Sequence, residues 1–255
     1  MLANERQRTI GELLRKNGAV TVSALIEAFD VSIETVRRDL LALEQKGVLT
    51  RVHGGAVAEN HMRLFSSLSD RNKEFEAQKH ALSAAAMAFI NEGDILAVDS
   101  GSTAVAFARA LRDTFTRLTV VTHSLDVFHL LCDHKEFQVI LCGGHYMRNE
   151  NSFYGALTLD MLDKLQVQKA FIFPSAVSLK HGIGDFEKDL FQIQQRLVSR
   201  ADSVFVLADS HKFEKKALLK LADMRSDFRY VTDGELSEEL KRLYADNGLS
   251  VTVAD

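Results

Sequence analysis

Two short stretches hold residue types and spacings able to do chemistry. The first is Asp99-Ser100-Gly101-Ser102-Thr103, which follows the apolar run ILAVD and opens a helical stretch at 102–112. A strand, a glycine and then Ser-Thr at a helix start put free backbone N–H groups and two hydroxyls at the positive end of a helix dipole. That is a cradle for an anion such as phosphate. Lys212 offers a point charge, and Asp99 can accept hydrogen bonds from sugar hydroxyls. The second stretch is Ser32-Ile33-Glu34-Thr35-Val36-Arg37-Arg38. Here Val36, Leu40 and Leu43 share one helical face, so Arg37 and Arg38, with Thr35 beside them, project outward in the first two turns. A helix entering a DNA major groove presents those positions to base edges and phosphates.

The elements around the arginines fit that use. Ile10, Leu13 and Leu14 recur at helical spacing in a first helix that Gly18 closes. Val20 and Val22 lead into a second helix with Ser23 as its cap and Leu25, Ile26 and Phe29 facing inward. Asp30 and Val31 turn, and Ser32 caps the third helix, its hydroxyl accepting a bond from an otherwise unpaired N–H while Glu34 suits the dipole. Lys46-Gly47 ends that helix. VLTRV then forms a strand, His53-Gly54-Gly55 a tight tip, and Ala56-Val57 the return. Arg51 and His53 give this hairpin its basic character.

Residues 58–74 shift to polar and charged types without clean periodicity and read as a linker docked on one neighbour or the other, followed by a helix over 75–90. Beyond it, seven β-rich runs alternate with helical stretches: 95–99, 118–122, 137–142, 170–173, 203–208, 228–232 and 249–253. That alternation predicts an α/β fold with a mainly parallel sheet. The first five runs end in polar residues: Asp99 to Thr103, His123-Ser124, Gly143-Gly144, Ser175, and Asp209 to Lys212. Ligands of open parallel sheets bind outside the carboxyl ends of the strands, so these clusters should converge on one crevice. The expected organisation is a DNA-binding domain over 1–57, a linker over 58–74 and a sensing and oligomerisation domain over 75–255.

Composition narrows the classes. The chain of 255 residues has a formal net charge of -4 and is 46% apolar, enough to bury a core. Residues 1–60 hold eight basic and eight acidic side chains, so DNA binding must come from placement rather than net charge. Cys132 and Cys142 lie in apolar surroundings without CxxC spacing and read as buried small hydrophobes. The nine histidines are scattered without metal-ligand spacing, and no cofactor is implied. No signal-peptide core or membrane-length apolar run is visible, which by elimination points to the cytoplasm.

VSIETVRRDLLALEQKGVLTRVHGGAV resembles the DNA-binding signature of DeoR-type bacterial regulators, and DSGSTAVAFARAL, LTVVTHSL, ILCGG and VLADSHKF resemble the landmarks of their sensor domain. The resemblance implies a winged helix-turn-helix, with Ser32, Thr35, Arg37 and Arg38 facing operator DNA and Arg51, His53, Gly54 and Gly55 in the wing. It also implies a sensor similar in fold to ribose-5-phosphate isomerase and responsive to a phosphorylated sugar or related metabolite. Asp99, Gly101, Ser102, Thr103, Gly143, Gly144, Gly155, Gly182, Asp209 and Lys212 then form the effector pocket, together with His123, which stands where the family usually has Asn. Gln192 and Gln194 stand where a Glu and a Lys are usual, and the Pro174 segment FPSAV is also unusual.

The implied behaviour is that of a repressor of a carbohydrate operon. It would be a homodimer or homotetramer placing two recognition helices on half-sites and letting go when the effector binds. The alternative is a sugar-phosphate isomerase fused to a DNA-binding module, with Asp99, Asp209 and Lys212 moving protons. No paired carboxylates at fixed spacing and no nucleophile elbow support it, and an operator-binding module has no use for turnover.

Overall fold

The computed structural model describes residues 3–17, 19–46, 48–52, 54–58 and 68–254. Gly18, Gly47, His53 and most of the linker therefore lie outside the described residues.

The N-terminal module follows its apolar periodicity. Helix α1 (Ala3–Asn17), strand β1 (Ala19–Thr21), helices α2 (Val22–Phe29) and α3 (Ile33–Gln45), and strands β2 (Leu49–Val52) and β3 (Gly55–Ala58) succeed one another. The strands form an antiparallel sheet in the order β1-β3-β2. Ile10, Leu14, Leu25, Val36, Leu40, Leu43 and Leu49 make a common core. Ser32 caps α3 as expected, its hydroxyl accepting from the Thr35 N–H at 3.3 Å. The cap of α2 is Thr21 rather than Ser23: α2 starts at Val22, so the hydroxyl one residue before it meets the Ala24 N–H at 3.0 Å. Asp30 ends α2 in the left-handed region at φ 50° and donates its N–H to the Ile26 carbonyl, making the turn.

Two helices precede the sheet domain. α4 (Leu68–Lys73) lies in the segment read as linker, and α5 (Glu76–Ala86) continues into a 3-10 turn at Met87–Phe89. The single helix expected over 75–90 thus tightens in its last turn.

All seven expected strands form one parallel sheet. They are β4 (Ile95–Val98), β5 (Thr119–Thr122), β6 (Gln138–Leu141), β9 (Val167–Ile172), β12 (Ala201–Leu207), β14 (Arg229–Thr232) and β15 (Ser250–Val253). The order is β15-β14-β12-β9-β4-β5-β6. Both faces are covered, which is why the strands read as continuous apolar runs. Leu96, Val98, Phe171, Phe205 and Leu207 face a core with Phe107 and Leu111 of α6 (Ser102–Thr114), with Val127 and Leu131 of α7 (Leu125–Leu131) in the same cluster. On the other face, Ala97, Val121 and Ala170 meet Leu162 of α8 (Ala156–Leu162) and Ile193 and Leu197 of α9 (Lys188–Ser199). Ile172, Val204, Val206 and Tyr230 pack with Tyr244 of α10 (Glu238–Asp246).

From β4 the chain runs outward one way through β5 and β6, then returns to β9 on the other side of β4. The strand order therefore reverses between β4 and β9. Two small antiparallel sheets rim that point and had no clear signal in the sequence. One is the hairpin β7 (His145–Met147) with β8 (Ser152–Tyr154); the other is β10 (Ala176–Ser178), β11 (Gly182–Asp185) and β13 (Leu219–Ala222). Cys142 is buried, as expected, but Cys132 is exposed because it stands at the C-cap of α7, past the turn that faces the core. No described helix is long and apolar enough to cross a membrane.

Candidate functional site

On the N-terminal module, α3 turns Val36, Asp39, Leu40 and Leu43 inward and leaves Ser32, Arg37 and Arg38 exposed, with Thr35 half-buried beside them. Among the described residues Arg37 pairs with Glu34 at 3.9 Å, a loose contact that leaves its charge able to meet a phosphate. The inward placement of α3 is fixed by a contact that sequence periodicity missed. Asp39 is buried and accepts from Arg6 Nε at 2.7 Å and from Gln7 Nε2 at 3.2 Å, tying α3 to α1. Arg51 is not an unattached wing cation: its backbone N–H and its Nε both donate to the Glu44 carboxylate, at 2.9 and 2.7 Å. These bonds hold the Glu44 carboxyl below the usual carboxylate range, the backbone bond most of all, and they lock β2 to the end of α3. Gly54 has φ 84°, and a Cβ on Gly55 would stand 2.2 Å from the Val20 carbonyl oxygen. Gly54 thus serves the left-handed turn of the tip and Gly55 the close approach of β3 to β1.

On the sheet domain, a crevice of about 110 Å³ opens outside the carboxyl ends of β4 and β9, where the order reverses and ligands of such folds bind. Gly101, Ser102 and Thr103 line it, with Lys212 opposite. Gly101 has φ 110° and caps α6 with no side-chain bond, so the first-turn N–H groups have no side-chain acceptor. The Thr103 hydroxyl is buried without a hydrogen-bond partner among the described residues. Lys212 Nζ donates to the Pro174 carbonyl at 3.0 Å and lies 3.9 Å from Asp209 Oδ2.

The other expected pocket residues stand around this crevice rather than in it. Asp99 and His123 are buried beneath it. Asp99 Oδ1 accepts from His123 Nε2 at 3.0 Å, and Oδ2 accepts from Gln194 Nε2 at 2.9 Å and the Phe173 N–H at 3.3 Å. His123 Nδ1 lies 2.9 Å from the Phe153 carbonyl. Both ring nitrogens therefore face oxygen atoms of buried groups. Gly143 and Gly144 follow β6, Gly155 precedes α8, Gly182 opens β11, and Asp209 is buried behind Lys212. None of these lines the crevice.

Sequence reasoning missed several residues that do. Asp185, at the end of β11, accepts from Ser175 Oγ, the Phe186 N–H and Gln194 Nε2 at 2.7–2.9 Å. Burial still pushes its carboxyl above the usual range, helped by the charge of Asp99. Gln194 thus bridges two carboxylates with one amide group, and its Oε1 is left buried and without a partner among the described residues. Arg71 of α4 and Glu150 of the β7–β8 turn face each other on the crevice wall. Phe186 lines the crevice too and also packs against Ala19 of β1, with Val52, Ala217 and Leu218 around them. Among the described residues no cluster of His, Cys, Asp or Glu could hold a metal.

A winged helix-turn-helix joined to a parallel α/β domain with a polar crevice at its switch point defines a DNA-binding regulator with a sensor domain. Family models agree over both parts. Residues 6–61 match the DeoR-like helix-turn-helix domain and residues 74–234 the DeoR C terminal sensor domain. The chain belongs to the DeoR family of transcriptional regulators, and not to an enzyme family. It is 30% identical to the HTH-type transcriptional regulator GolR of Listeria innocua over 100% of both chains. It is 28% identical to the glycerol-3-phosphate regulon repressor of Haemophilus influenzae, over 91% of this chain and 90% of that one. A ribose 5-phosphate isomerase A of Methanocaldococcus jannaschii aligns at 17% identity and TM-score 0.42 over 56% of each chain, a level from which nothing about this chain is drawn.

Proposed function

We propose that this protein represses a carbohydrate-utilisation operon and releases its operator when a phosphorylated sugar or related metabolite enters the switch-point crevice. The observation that carries the reading is Phe186. It is one wall of the crevice and also the side chain on which Ala19 of the DNA-binding module rests. Ligand in the crevice and the seating of the module are thus linked through one ring. The anion cradle of Gly101, Ser102 and Thr103, with Lys212 opposite, suits a phosphate. That one relative is named a glycerol-3-phosphate regulon repressor accords with this.

In this reading residues 1–57 bind DNA through Ser32, Thr35, Arg37 and Arg38, with the wing of Arg51, His53, Gly54 and Gly55 beside the flanking phosphates. Residues 58–74 link and residues 75–255 sense and assemble. Asp99, His123, Gly143, Gly144, Gly155, Gly182 and Asp209 shape the pocket from behind. The protein acts in the cytoplasm as a homodimer or homotetramer, because two recognition helices on paired half-sites supply affinity that a module of balanced charge lacks.

The test begins with an operator selected from a random duplex library. Arg37→Ala and Arg38→Ala should each weaken binding by about 1–3 kcal/mol in gel shifts at fixed salt and reduce the salt slope by about 1. Ser102→Ala and Lys212→Ala should blunt release by the metabolite found in a thermal-shift screen of phosphorylated sugars. Unchanged operator affinity in both arginine variants would overturn the recognition-helix assignment, and full release in both crevice variants would move the effector elsewhere.

A further inference from the structure

The crevice is an odd place for a phosphate if only the expected residues are counted. Three carboxylates line it, Glu150, Asp185 and Glu187, against two cations, Lys212 and Arg71. Lys212 is already turned to the Pro174 carbonyl with Asp209 close by. Arg71 is the cation with the planar fork that matches a phosphate, and it comes from α4, in the segment between the two domains.

Its partner on the wall is Glu150, with Nη2 to Oε2 at 2.5 Å and both side chains largely buried. Glu150 sits on a stiff support: in the same turn Asn151 donates to Asp126 at 2.6 Å and accepts from the Tyr146 hydroxyl at 2.7 Å. Yet Glu150 is a poor holder of charge. Burial raises its carboxyl above the usual range in spite of Arg71, and the charges of Asp185 and Glu187 push the same way. A phosphate arriving at Gly101 to Thr103 carries more charge and more acceptors than this carboxylate. It is the better partner for the guanidinium.

The backbone of Arg71 is also tied to α5. The buried Lys79 ammonium donates to the Arg71 carbonyl and, at 2.5 Å, to that of Glu74. At the α4–α5 junction the Phe75 ring lies 3.9 Å from the ring of His211, next to Lys212. Arg71 of α4 thus lines the crevice, while Phe75 at the junction packs beside Lys212 through His211.

We infer that Arg71 is an effector-binding residue delivered by the linker, held by Glu150 when the crevice is empty and handed to the anionic group of the ligand when it is filled. This rests on the reading of the crevice as the effector site and adds to it a specificity residue and a route outward. A ligand lacking a strong anion would leave Arg71 on Glu150 and α4 where it is.

Inorganic phosphate, titrated calorimetrically into the full chain, tests the exchange. Arg71→Gln should weaken phosphate binding about tenfold or more, the fold-change expected for losing charge-assisted hydrogen bonds. Glu150→Gln should tighten it by about threefold or more, since it removes both a competitor and a like charge. A misfolded variant cannot give that second result. Phosphate should also alter hydrogen exchange of residues 68–79 in the wild type, and not in Arg71→Gln. If Ser102→Ala weakens phosphate binding while Arg71→Gln and Glu150→Gln leave it unchanged, the crevice stands and the role of Arg71 falls. If phosphate does not bind the wild type, or none of the three variants alters its affinity, the crevice reading falls and this inference with it.

Discussion

Asp99→Asn is the sharpest perturbation of the sensor domain. The Asp99 carboxylate is 1% exposed and accepts three bonds, from His123 Nε2, Gln194 Nε2 and the Phe173 N–H. Asparagine keeps the shape but replaces one acceptor oxygen by an NH2 donor, which must then face either the Gln194 and Phe173 donors or His123 Nε2. His123, fully buried and with its other nitrogen on the Phe153 carbonyl, then loses the carboxylate oxygen that faces its Nε2. Leaving buried donors short of a charged acceptor costs about 1–3 kcal/mol or more, and three such contacts put this case near 3. For a domain of this size that corresponds to a fall in Tm of roughly 6–12 °C. Urea unfolding followed by circular dichroism reads it directly, with the m-value expected to hold. His123→Gln and the double variant complete a cycle whose coupling should be about 1.5–3 kcal/mol. A loss below about 1 kcal/mol for Asp99→Asn, or a coupling below about 0.5 kcal/mol, refutes the idea that the Asp99 carboxylate holds His123 and Gln194 in place.

Three further outcomes follow from the same geometry. Gly55→Ala should destabilise the N-terminal module by about 1–3 kcal/mol, because its Cβ would stand 2.2 Å from the Val20 carbonyl; a melt equal to the wild type would contradict the close approach of β3 to β1. Burial lowers the Lys79 ammonium to about 8 from an ordinary 10.5, so the unfolded chain holds the extra proton between those values and stability rises with pH across that window. The wild type should therefore gain on Lys79→Met by up to about 3 kcal/mol between pH 8 and 10.5, and a constant difference in unfolding free energy would refute it. A thiol reagent should modify Cys132 in the native protein and Cys142 only after unfolding, since Cys142 is buried and its thiol pushed up to about 11; two equally fast thiols would place Cys142 wrongly.

What the sequence made legible was whatever rests on local order. The seven parallel strands showed as apolar runs because each is buried on both faces, and Ser32, Val36, Leu40 and the outward arginines followed from helical spacing. The Gly101 to Thr103 cradle showed because strand, glycine and hydroxyls are contiguous. The remainder depends on pairs far apart in the chain. Asp99 meets Gln194 across 95 residues and Arg71 meets Glu150 across 79, and no periodicity marks either pair. The small sheet of β10, β11 and β13 escaped for a related reason: its strands have three or four residues, too few to show alternation. Gln194 looked like the loss of a charge at the pocket rim. In the fold it is a neutral bridge holding two acids apart, a role visible only once both acids are placed.

Among the described residues, one small apolar cluster lies between the domains beside the crevice, and its size suits regulation. Phe186 is 3% exposed against Ala19, with Val52, Ala217 and Leu218 at its edge. Burying one phenylalanine contributes about 1.5–3 kcal/mol, while allosteric couplings commonly run to about 1–3 kcal/mol. A ligand can move an equilibrium only by its differential affinity for the two states. A docking contact many times stronger would be beyond the reach of a metabolite in a crevice of about 110 Å³. In the proposed function the Phe186 contact is of the same order as a ligand's preference, so a shift of that aromatic wall as Arg71 changes partner would bear on the seating of the module.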